Sequence, residues 1–144
     1  MTPDVNVIVA ASRSDHPHHK HALSWLRTAL EDCASGASFQ VLPMVAAGFL
    51  RLVTHPKVFP APTPLLEAMA FLDAILGVPG VEMPELGREW KVFARLCLGK
   101  ALTGNQIPDA WIAAAVTAGG FHLVTFDRGF ASLLAASERT VLTA

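Results

Sequence analysis

Charge is what this chain has least of. Only 16% of its 144 residues are Asp, Glu, Lys or Arg, 52% are hydrophobic, and the net charge is −1 with six histidines taken as neutral. So apolar a chain is not a disordered one. It is not globally basic either, so any hold on nucleic acid must come from a local cluster of positive side chains. Cysteine is equally scarce. Cys33 and Cys97 make neither a disulfide framework nor a Cys/His metal spacing, and both fall on apolar helical positions as packed thiols of a reducing compartment. A signal peptide is missing: Met1-Thr2-Pro3-Asp4 lacks a positive start, and the apolar run Val5–Ala11 is interrupted by Asn6 and too short to span a bilayer. The chain therefore reads as soluble and cytoplasmic, with no membrane partner. There is no P-loop, no dinucleotide glycine fingerprint and no nucleophilic Ser/His/Asp or Cys/His arrangement. With no repeat or low-complexity tract, residues 1–144 read as one domain, long enough to bury a core without staples. The apolar excess predicts surface that one small domain cannot hide, hence an oligomer or a tightly bound partner.

What is present is an alternation of strand and helix signals. Val5, Val7, Ile8 and Val9 are β-branched and predict a buried parallel strand, with Asp4 at its N-terminal end. Ala22, Leu23, Leu26, Ala29, Leu30 and Cys33 recur at helical spacing, and Phe39–Leu42 is a short strand candidate closed by Pro43. Val45, Phe49, Leu52 and Val53 resume the helical period. Residues 55–64 hold four prolines and form a surface loop, and Thr63-Pro64 looks like an N-cap and first helical residue leading into Leu65–Leu76. Val81–Met83 is a possible strand, and Leu86, Trp90, Phe93, Leu96 and Cys97 trace a further helix. Asp109 then begins a helix over Ala110–Ala118, stopped by Gly119-Gly120. His122–Phe126 predicts a strand with Asp127 at its end, Phe130–Ala136 a short helix, and Arg139–Leu142 a last strand. The alternation implies an α/β domain with a central, mainly parallel sheet of four or five strands flanked by helices on both sides.

Three acids stand out: Asp4 and Asp127 at strand ends, and Asp109 at a helix start. Singly each has an ordinary explanation, as a surface residue near a terminus, a turn former before Arg128-Gly129, or an N-cap. If they converge, they make an oxygen-rich site for a hard cation such as Mg²⁺, which takes one or two carboxylates directly and completes its shell with water and phosphate oxygens.

The local sequences around these acids carry a resemblance. Asp4-Val5-Asn6-Val7-Ile8-Val9 resembles the opening strand of PIN-domain nucleases. Pro108-Asp109-Ala110-Trp111-Ile112-Ala113-Ala114-Ala115 resembles that family's D-A-hydrophobic-hydrophobic-A-A helix, and Thr125-Phe126-Asp127-Arg128-Gly129-Phe130 its final turn. The three segments follow the family's order over nearly the whole chain. Asp15-His16-Pro17-His18-His19 and the stretch Gly48–Pro56 are similar to a subgroup of VapC-type toxins, the ribonuclease halves of type II toxin–antitoxin pairs. The resemblance implies a PIN-like fold, RNA as substrate, dependence on Mg²⁺ or Mn²⁺, a homodimer, and inhibition by a small VapB-type antitoxin. It implies Asp4 and Asp109 as principal metal ligands, Asp127 as a further ligand, direct or through water, and Asn6 and Thr125 as polar supports.

The chain departs from the family at one point. The glutamate usual on the helix after the second strand is Gly48 here, and no acid lies anywhere from Phe39 to Leu66. Either three aspartates suffice, or Asp15, Glu67 or Glu82 reaches in, or activity is weak and the chain is a PIN-like module that binds RNA or a partner without cutting. A phosphatase of similar build is disfavoured, because no Asp-x-Asp follows the first strand.

Arg51, His55, Lys57, Arg88, Lys91, Arg95 and Lys100 are candidates to ring the acids and grip phosphates, contacts that position a substrate without reading sequence. Arg51, His55, Lys57 and Arg128 are the preferred RNA-binding set. His16, His18, His19 and His21 lack the second ligand group that zinc requires and read as a partly cationic loop. Trp25, Trp90 and Trp111 read as core or interface residues.

Overall fold

A computed structural model describes residues 1–143; Ala144 lies outside the described residues. It contains β1 (Thr2–Pro3), α1 (Val5–Ser12), α2 (His19–Asp32), β2 (Phe39–Gln40), α3 (Pro43–Val53), α4 (Leu65–Leu76), β3 (Val81–Glu82), α5 (Trp90–Gly99), α6 (Gln106–Gly119), β4 (Leu123–Thr125) and β5 (Arg139–Val141). Every strand pairing is parallel: β1 with β4, β4 with β5, and β2 with β3. The strands form a three-stranded sheet, β1-β4-β5, and a two-stranded sheet, β2-β3, and the Gln40 amide, donating to the Met1 carbonyl at 2.9 Å, ties the second to the edge of the first. Among the described residues no helix is long and apolar enough to cross a membrane.

The first expected strand is a helix. Val7, Ile8, Val9, Ala10 and Ala11 are all buried, and a helix buried on every side carries the same continuous apolar run as a buried strand, so periodicity does not separate them. The decision is made locally by Asp4, whose carboxylate accepts the Val5 amide at 2.7 Å and caps α1. The true strand lies one step earlier. The amides of Thr2 and Asp4 donate to the carbonyls of His122 and Val124 on the β4 side, which leaves Pro3, with no amide to give, free to sit between them.

Other boundaries shift for stated reasons. α6 starts at Gln106 rather than after Asp109, because Pro108 falls in the first turn, where a missing amide costs nothing. Asp109 is thus a first-turn acid and not the cap. Gly120, in the left-handed region at φ 66°, closes the helix. Thr63 does not cap α4; Pro64 occupies that position, and the Thr63 hydroxyl is taken by Arg13 at 3.1 Å. The expected helix over Phe130–Ala136 is instead two 3₁₀ turns, Arg128–Ser132 and Ala136–Glu138.

Phe39, Phe49, Phe130, Ile8, Leu42 and Leu123 are the largest fully buried side chains, and α1 packs on α2, α3 and β4 at the centre. Cys33 is buried, Cys97 half-buried, and both are free thiols. Outside the core, α5 has no buried residue, and Leu65, Leu66, Met69, Trp90 and Leu98 are exposed.

Candidate metal centre at the carboxyl edge of the sheet

Asp4 follows β1 directly and Asp127 lies just past β4, its parallel neighbour. Both acids therefore stand at the same carboxyl edge of the sheet, the edge where open α/β sheets bind ligands. A parallel strand beginning at Asp4, instead of ending before it, would leave the two at opposite ends. The first turn of α6 brings Asp109 to the same place, and all three line a cavity of about 820 Å³ together with Asn6, His16 and Arg51.

Thr125 organises the group. Its hydroxyl donates to Asp4 Oδ2 at 2.6 Å and accepts the Asp127 amide at 2.9 Å. Asn6 Nδ2 donates to the Thr125 hydroxyl oxygen at 3.4 Å, while Asn6 Oδ1 accepts the Phe126 amide at 3.2 Å. One donor and two acceptor sites on a single buried hydroxyl are all in use. Asp127 turns its Oδ1 onto the Gly129 amide at 2.7 Å.

The acids are electrostatically uncomfortable together. Burial pushes the Asp4 carboxyl up from its ordinary 3.8 to about 6, against the pull of its bonds from Thr125 and Val5, and the charges of Asp109 and Asp127 add to the rise. Asp109 is raised as well, by burial and then by Asp127. Among the described residues no three His, Cys, Asp or Glu side chains are drawn together as a finished metal cage. The donor set nevertheless fits a hard divalent ion. It is all oxygen, it needs to supply only one or two direct ligands, and its mutual repulsion is what a bound cation would relieve.

The fourth acid of the resemblance is not replaced. Gly48 lines the cavity, and a Cβ there would lie 3.0 Å from Val5 Cγ2. Glu67 and Glu82 are exposed and outside the cavity lining. Asp15 is engaged elsewhere, in a two-point pair with the buried Arg13 at 3.0 and 2.7 Å. Arg13 also donates to the Ala61 carbonyl at 2.9 Å and lies 3.8 Å over the Phe59 ring, which pins the proline-rich loop so that Val58 and Phe59 form part of the cavity wall.

A family model described as PIN domain matches residues 1–134. The chain belongs to the PIN-domain family. This PIN domain is 36% identical over 129 residues to Ribonuclease VapC31 of Mycobacterium tuberculosis, covering 89% of each chain. It is 37% identical over 130 residues to VapC ribonuclease Mb2897 of Mycobacterium bovis, covering 89% of this chain and 86% of that protein. Its fold is similar to that in a crystal structure of VapBC2 from Rickettsia felis bound to a DNA fragment from their promoter. The TM-score is 0.62 at 20% identity, and the match covers 92% of this chain and 91% of that one.

Of the positive residues expected around the acids of this PIN domain, only Arg51 lines the cavity. His55, Lys57, Arg88, Lys91, Arg95, Lys100 and Arg128 lie outside its lining. His55 instead accepts the Lys57 amide at 3.0 Å within its own loop. The histidine segment divides. His18 stacks on Phe126 with ring centroids 4.8 Å apart, His19 Nδ1 meets the Ala10 carbonyl at 2.9 Å, and only His16 reaches the cavity. Its Nδ1 accepts the His18 amide at 3.1 Å, which leaves Nε2 as the ring's donor, and burial followed by the neighbouring His18 holds its pKa below the usual value. Trp111, expected in a core or an interface, is 41% exposed in the cavity wall. Its tether, Glu89, carried no sequence signal, since the two are 22 residues apart.

Proposed function

We propose that this PIN domain is a metal-dependent endoribonuclease, the toxin of a VapBC-type pair, hydrolysing RNA phosphodiesters in the cytoplasm with Mg²⁺ or, in its place, Mn²⁺. The observation that carries the reading is the meeting of Asp4, Asp109 and Asp127 in one cavity at the carboxyl edge of the sheet, and the VapC ribonuclease relatives support it. Asp4 and Asp109 would hold the ion, with Asp127 a further ligand. Once bound, the ion would orient the scissile phosphate, acidify an attacking water and offset charge on the leaving oxygen. The chain's own groups supply the remainder. Thr125 fixes Asp4 and Asn6 supports Thr125, exposed Asp127 is free to take the water's proton, and Arg51 and the Nε2–H of His16 are donors for phosphate oxygens. A small VapB-type antitoxin is the proposed inhibitor. A homodimer is proposed from the exposed apolar residues of α4 and α5.

A second reading is favoured by Gly48, since no acid stands in the cavity in its place: a PIN-like module that binds RNA or a partner without cutting. The two separate on purified, antitoxin-free protein given a broad RNA panel. The nuclease cuts with Mg²⁺ or Mn²⁺ and not with EDTA. RNA binding that persists in EDTA, with no turnover in either ion, selects the module.

Gly129→Ala tests how Asp127 is aimed. A Cβ at that position would lie 2.9 Å from Asp127 Oδ1, and the carboxylate relieves the clash by turning away from the Gly129 amide. Cleavage should fall about three- to tenfold, bounded by what losing the Asp127 carboxylate itself would cost, with stability within about 1 kcal/mol of wild type because the displaced atom ends a flexible side chain. Unchanged kcat/KM would show that the aim of Asp127 is immaterial.

A further inference from the structure

Trp111 is tethered more firmly than a surface residue requires. It stands on α6 two residues beyond Asp109, 41% exposed and lining the cavity of the three aspartates. Its indole N–H donates to Glu89 Oε1 at 2.8 Å. Glu89 is only 3% exposed, and its two oxygens also share the Gly87 amide at 3.0 and 2.8 Å. A buried carboxylate must have its charge satisfied, and the side chain that satisfies this one is the edge of an aromatic ring whose surface remains open. Phe93 flanks that ring with centroids 5.7 Å apart.

The charge in the cavity asks for such a ring. Three carboxylates line it, and Arg51 is the one Lys or Arg among its described lining residues. Side-chain contacts to phosphate are few there, which leaves affinity to be gained from the bases. An edge-anchored, open aromatic surface is the means by which single-stranded sites take bases of any sequence.

We propose that Trp111 is a stacking platform for a nucleobase of single-stranded RNA in the acidic cavity, and that Glu89 is the positioning residue that holds the ring. The inference rests on the nuclease reading for the identity of the strand.

The test uses a fluorescein-labelled, random-sequence single-stranded RNA 10-mer and full-length protein carrying Asp109→Asn, so that binding is read without turnover. Trp111→Leu should weaken affinity about tenfold and Trp111→Phe by no more than about threefold, with the salt dependence unchanged in both. Both variants lose the bond to Glu89, so their difference isolates the ring. Glu89→Leu should weaken binding while Trp111 is present and have no effect beside Trp111→Leu. An abasic nucleotide scanned along an RNA of fixed sequence should cost about tenfold at one position with Trp111 and nothing with Leu. Equal affinities for the Leu and Phe variants overturn the proposal. So does a Trp111→Leu protein that binds RNA normally but changes its oligomeric state, which would assign the face to a protein contact. Cleavage by the otherwise wild-type chain is measured separately. Trp111-dependent binding without cleavage removes the nuclease and keeps the platform, and cleavage indifferent to Trp111 does the reverse.

Discussion

Asp109→Asn should lower kcat/KM for RNA by about 10²- to 10³-fold, the several kcal/mol expected when a principal ligand of a catalytic ion is removed. The protein should remain folded. Asp109 is half-buried, and its carboxyl is raised by burial and by the charge of Asp127, so the native state gains no stability from its ionisation. The neutral amide removes that repulsion, and the metal-free melting temperature should not fall. Loss of activity without loss of stability marks a group kept for chemistry. Asp127→Asn is expected to do less, about tenfold, because Asp127 is exposed and serves through water or as a proton acceptor. Cleavage assays beside thermal melts in EDTA decide the matter. An Asp109→Asn protein that cuts at the wild-type rate would remove the residue from the site.

Asp4 should make the metal-free protein less stable as pH rises. Its carboxyl titrates near 6 in the folded chain and near 3.8 when unfolded, so between these values the native state binds more protons. The contribution is fully present below about pH 3.8 and lost as pH rises through 6, by up to about 3 kcal/mol; Asp109 adds to it in the same direction. Asp4→Asn cannot titrate. The stability difference, variant minus wild type, should therefore grow in the variant's favour from pH 4 to pH 7, whatever constant cost the altered bond to Thr125 brings. Millimolar Mg²⁺ should shrink the difference by stabilising the wild type alone. A difference flat in pH would mean that Asp4 is not held in its proton-bound form. The same protonation competes with metal, so cleavage should decline below pH 6.

How far the sequence led depends on which interaction decides each element. α4 is legible but for its cap, because a proline-rich loop precedes it and marks where the helix begins. The segment after Asp4 was misread because its burial is all-round, and the choice of helix rests on one carboxylate-to-amide bond that composition does not display. The three aspartates stand out by position and take their roles from the resemblance, while the way they meet rests on a strand that ends at Pro3 and so sets Asp4 beside Asp127. The positive ring failed for a different reason. Lys57, Arg88 and Lys91 are exposed and outside the cavity lining, and a solvated cation has no periodicity that gives its direction. The Arg13 clamp and the Glu89–Trp111 tether join side chains far apart in sequence, and no local pattern announces either.

The hydroxyl of Thr125 joins Asp4 to a segment 121 residues away. Asp4 is synthesised 121 residues before Thr125, so while those residues are being made the first acid has neither that hydroxyl nor a β4 beside it. On the proposed nuclease reading, a nascent chain short of Thr125 has no assembled cutting edge to turn on the RNA that encodes it. Fragments ending before Leu123 should be inactive, since they lack both Asp127 and the hydroxyl that holds Asp4.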